Sequence, residues 1–77
     1  MKIRKHLYNN KEQKVYIYEN KKEEYFVVAI PAYHWSIQFT YEKINLHELI
    51  TSSLPKDLLS EEKELLSGRI NQWTGEM

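Results

Sequence analysis

Apolar and polar residues alternate with a period of two through the first half of the chain and with a helical period through the second. The clearest alternation is Tyr33 to Tyr41, where Tyr33, Trp35, Ile37, Phe39 and Tyr41 share one parity and His34, Ser36, Gln38 and Thr40 the other. Successive side chains of a strand point to opposite faces, so this segment predicts a half-buried strand with one bulky apolar face. Lys2 to Tyr8 alternates more weakly and predicts a short edge strand. Lys14 to Glu19 predicts another, with Val15 and Ile17 on one side and Tyr16 and Tyr18 on the other. Tyr25 to Ile30 is apolar on both parities, as expected of a central strand, and Pro31 ends it because proline cannot donate to a ladder. Asn9-Asn10-Lys11-Glu12 and Asn20-Lys21-Lys22-Glu23 read as tight turns between neighbours.

After Tyr41 the period changes. Leu46, Leu49, Ile50 and Leu54 are spaced as a helix face, with Asn45 and Glu48 placed as an N-terminal capping pair and Pro55 as the stop. Lys56 to Trp73 predicts a second helical segment, with a start at Ser60 as N-cap the alternative to one at Lys56, and Glu61, Glu62 and Glu64 as first-turn acids favoured by the helix dipole. Its apolar stripe reads as Leu59, Leu66, Ile70 and Trp73, widened by Leu58 and Leu65. Gly68 inside it marks either a close contact or a break. The expected architecture is one α+β domain over residues 1–77. An antiparallel three- or four-stranded β-meander (2–41) is followed by two α-helices (45–54 and 56–73), packed on the Trp35/Ile37/Phe39 face of the sheet.

Composition narrows the picture. The chain has 77 residues, enough for one core only, yet it is 42% hydrophobic and 13% aromatic, well outside the disordered class. It has no cysteine, which excludes disulfide staples, thiolate catalysis and cysteine-bound metals, and favours a reducing compartment. The basic start lacks an apolar segment of signal-peptide type, and no run approaches the roughly 20 apolar residues of a membrane span. These features predict a cytoplasmic chain with no membrane association.

Net charge is zero but unevenly spread: residues 1–22 hold seven basic side chains against two acids, and the remainder four against nine. Candidate chemistry is sparse. His6, His34 and His47 have no metal-ligand spacing, and the His34/Ser36 pair has neither an orienting acid nor an oxyanion hole in view. The two glycines, Gly68 and Gly75, follow no strand, so no phosphate loop is present. No catalytic, cofactor or metal residue is expected, and the chain reads as a non-enzyme. Placing Lys2, Arg4, His6, Tyr8, Lys14, Tyr16 and Tyr18 on one outward sheet face would create a basic, tyrosine-rich platform for single-stranded nucleic acid. The competing expectation is a protein-interaction or accessory module, including a homodimer, because two helices leave one apolar sheet face uncovered.

The run from Ile17 through Glu19-Asn20-Lys21-Lys22-Glu23-Glu24-Tyr25-Phe26-Val27-Val28-Ala29-Ile30-Pro31, continuing into His34-Trp35-Ser36, resembles the YueH-like proteins. These are small uncharacterised proteins of Bacillus-type bacteria. The resemblance extends over nearly the whole chain and implies a cytoplasmic bacterial protein. It assigns no residue a role.

Overall fold

A computed structural model describes residues 1–77. Four strands, β1 (Lys2–Tyr8), β2 (Lys11–Asn20), β3 (Tyr25–Ile30) and β4 (Trp35–Thr40), form one antiparallel sheet in the order β1-β2-β3-β4. Helices α1 (Leu46–Ser53) and α2 (Ser60–Gly75) follow. The α+β meander with two trailing helices is thus present, with four strands.

Local chemistry sets the turns. Asn9 and Asn10 both have positive φ, 51° and 63°, so the two-residue β1–β2 hairpin has the left-handed backbone that matches strand twist. Between β2 and β3, Asn20 Oδ1 accepts the Glu23 N–H at 3.0 Å and Glu24 takes a positive φ. Pro31 ends β3 and begins a single 3-10 turn, Pro31–Tyr33, closed by His34 in the left-handed region.

The core lies between the sheet and the helices. Val15, Ile17, Phe26, Val28, Ile30, Trp35 and Phe39 meet Leu46, Ile50, Leu54, Leu66 and Ile70 there. Trp35 Nε1 donates to Ser53 Oγ at 2.9 Å, satisfying the indole and tying α1 to β4. Only one face of the sheet is covered. Along β3, Phe26, Val28 and Ile30 are buried while Tyr25, Val27 and Ala29 are half-buried by in-plane neighbours. Tyr33 belongs to the 3-10 turn, which shortens the aromatic strand to Trp35–Thr40.

The helices differ from the expected pattern in three places. Asn45 and Ser60 make no side-chain cap; Asn45 is left-handed and the position before α2 is Leu59. Leu49, Leu59 and Leu65 are exposed, so the buried stripe of α2 is Glu62, Leu66 and Ile70 with Ser67 and Thr74. α2 runs unbroken through Gly68, where an added Cβ would meet no atom within 4 Å. Gly68 is therefore neither a break nor a close contact.

Candidate functional site

The first strand faces the opposite way from the direction its apolar residues suggest. β1 pairs with β2 so that Ile3 sits opposite Tyr16 and Arg4 opposite Val15. Directly paired residues share a sheet face. Val15 and Ile17 are buried beneath the helices, so Lys2, Arg4, His6 and Tyr8 turn to the helix side and Ile3, Lys5 and Leu7 to the open side.

This register divides the proposed basic platform. Lys2, Arg4, His6 and Tyr8 lie on the helix face, with His6 fully buried, Arg4 and Tyr8 half-buried and Lys2 exposed. Lys14, Tyr16 and Tyr18 lie on the open face, Lys14 and Tyr18 exposed and Tyr16 half-buried. The seven residues do not form one surface. The error came from treating the apolar parity of β1 as the inner one, whereas strand pairing with β2 decides it.

Two features arise from the same register. One is polar and buried. His6 Nε2 lies 3.1 Å from Glu62 Oε2, and Tyr33 donates its hydroxyl to the same oxygen at 2.6 Å. An ionised Glu62 can only accept, so the proton between the pair resides on Nε2. His6 Nδ1 is then left buried without a partner. The Tyr8 ring stacks near His6, with centroids 6.3 Å apart and planes 7° apart. Burial and the hydrogen bond to Glu62 push the Tyr33 hydroxyl far above the ordinary tyrosine range. Tyr8 is raised in the same direction, by desolvation first and then by Glu61 and Glu62.

Above this cluster, an open cleft of about 630 Å³ runs between the β1–β2 turn, the 3-10 turn and the start of α2. Tyr8, Lys11, Tyr33, His34, Asp57 and Glu62 are among its walls. Its charges are mixed in sign, and His6, Glu62 and Tyr33 are turned toward one another. The cluster fastens β1, the 3-10 turn and α2 together. Sequence reading missed it because Glu62 was assigned to the helix dipole. Its spacing was the available signal: Glu62, Leu66 and Ile70 recur every four residues, which places the carboxylate on the buried stripe.

The other feature is the open sheet face. Ile3 is 55% exposed, Leu7 58% and Tyr18 41%. Tyr16 and Ala29 stand in one row with Ile3, and Val27 stands beside Tyr18. Two lysines, Lys5 and Lys14, face each other across β1 and β2, and Lys5 Nζ lies 3.6 Å from Glu12 on the same face. The β4 side of this face is uncharged and polar, formed by Ser36, Gln38 and Thr40. Apolar groups on this face thus flank a pair of facing lysines.

The fold and this surface define a small α+β domain with one sheet face covered and one open. The family model described as YueH-like protein matches residues 2–76, and the chain belongs to that family. It is 35% identical, over 82 aligned positions covering all of both chains, to the "Uncharacterized protein YueH" of Bacillus subtilis (strain 168). No solved structure matches. Neither description carries an activity or a ligand, so no residue inherits a role. No helix is long and apolar enough to cross a membrane.

Proposed function

We propose that the chain is a non-catalytic protein-interaction or accessory module of the cytoplasm whose contact surface is the open sheet face. The observation that carries this reading is the exposure of Ile3, Leu7 and Tyr18 on a sheet face that no helix covers. Water-exposed apolar side chains on adjoining strands gain roughly 25 cal/mol for each Å² a partner removes from solvent. The facing Lys5 and Lys14 favour a partner surface whose apolar stripe is edged by carboxylates.

The test compares wild type with Ile3→Ser/Leu7→Ser and with Lys5→Glu/Lys14→Glu, all immobilised and exposed to an extract of a bacterial host. A stoichiometric partner retained by wild type and lost by both variants is the expected result. Equal retention by all three would place the contact elsewhere and overturn the reading. Titration of a labelled single-stranded oligonucleotide mixture at low salt addresses the nucleic-acid alternative. Because the basic and tyrosine residues divide between two faces, no binding is expected.

A further inference from the structure

The sheet has two edges, and only one is guarded. An edge strand exposes unpaired N–H and C=O groups, and charged side chains are a common means of discouraging another strand from joining. β1 carries Lys2, Arg4 and Lys5 along its length. β4, the opposite edge, is Trp35-Ser36-Ile37-Gln38-Phe39-Thr40, without a charge or a proline.

The groups that β4 presents can be identified. The β3–β4 register places Tyr25 opposite Thr40, and one step further the Tyr41 N–H donates to Glu24 C=O at 3.1 Å. Alternate residues of an antiparallel ladder exchange bonds with the neighbouring strand, so Trp35, Ile37 and Phe39 bond inward to β3. Ser36, Gln38 and Thr40 therefore aim their backbone groups outward. The Thr40 C=O already accepts the Lys43 N–H at 3.1 Å. Ser36 and Gln38 retain both their donor and their acceptor, and no backbone bond from outside the sheet reaches either residue.

We propose that β4 pairs antiparallel with β4 of a second copy, about a two-fold axis at Ile37. In this register Ser36 of one copy lies opposite Gln38 of the other, so the two free donors and two free acceptors of each strand are mutually satisfied. Ile37 meets its own copy at the axis, and Trp35 stands opposite Phe39 on the helix side. Ile37 is only half-buried in one copy although it shares the core face, as a side chain at an unfinished edge would be. α1, tied to β4 through Trp35 and Ser53, also leaves Leu49 exposed. Moving the axis to Gln38 would require the occupied Thr40 carbonyl, and pairing β1 with itself would bring its cations together. The assembly joins two four-stranded sheets into one and leaves both open faces free. It is therefore independent of the proposed use of the open face.

The full chain has no cysteine, which makes single-cysteine cross-linking a clean test. Ile37 and its copy would form a non-hydrogen-bonded pair with Cα atoms about 4.5 Å apart, within disulfide reach. Wild type at high micromolar concentration should sediment at twice 9.3 kDa. Ile37→Cys should oxidise to a disulfide-linked dimer, and Leu7→Cys, on the open face, should not. Gln38→Pro removes one outward donor at an exposed edge position, and the folded variant should fall to the mass of one chain. A wild-type monomer, or a dimer that cross-links through Leu7→Cys but not Ile37→Cys, would overturn the proposal. So would a wild-type dimer matched by an equally stable Gln38→Pro dimer.

Discussion

His6 Nε2 lies 3.1 Å from Glu62 Oε2, joining the edge strand at the start of the chain to the last helix across 56 residues. Glu62 also receives the Tyr33 hydroxyl, so one carboxylate oxygen fixes three elements. Desolvation makes a buried pair of this kind costly to form and costlier to break on one side only. The β1–β2 register turns His6 inward, and the pair with Glu62 fastens that parity of β1 to α2.

Glu62→Ala leaves the buried His6 and the half-buried Tyr33 without their acceptor and should cost about 3–5 kcal/mol in equilibrium unfolding. Tyr33→Phe should cost about 1–3 kcal/mol. In the double variant the costs should fall short of additive, because both remove the same hydrogen bond. Full additivity would mean that Tyr33 and Glu62 do not interact.

Trp35→Ala and Phe39→Ala should each cost about 3–5 kcal/mol, since both rings are buried under the helices. Tyr18→Ala, on the open face, should stay within about 1 kcal/mol. Urea denaturation of the three variants checks the order, and a near-neutral Phe39→Ala would put the wrong face inside.

Most of the fold was legible in the sequence because its signals are local. The alternation from Trp35 to Phe39 marks the buried face of β4, and Asn9-Asn10 marks the hairpin by its tolerance of positive φ. The candidate site was not legible in the same way. Whether Ile3 or His6 of β1 faces inward depends on pairing with β2, a contact the strand's own pattern does not contain. Composition favoured Ile3, and the register opposite Tyr16 chose otherwise. Glu62 was hidden similarly: a glutamate in a first helical turn has a sufficient local explanation, and only its spacing from Leu66 and Ile70 revealed the second.

The tyrosines supply a pH prediction. Tyr41 donates its hydroxyl to Glu19, which raises its pKa from 10.0 to about 12, and Tyr33 and Tyr8 are raised in the same direction. The folded state therefore holds these protons more tightly than the unfolded state. The Tyr41 contribution to stability is complete below pH 10 and is lost as pH climbs through about 12. A spectrophotometric titration should show tyrosinate absorbance still rising at pH 12, and Tyr41→Phe should remove part of that late rise. An unchanged curve would contradict the Tyr41–Glu19 bond.

Gly68 lies inside α2 at ordinary helical φ, with open space where a Cβ would stand. Gly68→Ala should stabilise the fold by about 1 kcal/mol, seen as a raised denaturation midpoint at unchanged slope. Destabilisation would mean that another surface lies against the helix there.

The central claim is that β1 turns its polar parity inward and leaves its apolar parity free. Equilibrium unfolding of His6→Ala beside Leu7→Ser tests it most directly. The account predicts a loss of at least about 3 kcal/mol for His6→Ala, which strands the Glu62 carboxylate, and less than about 1 kcal/mol for Leu7→Ser. A tolerated His6→Ala together with a strongly destabilising Leu7→Ser would contradict it.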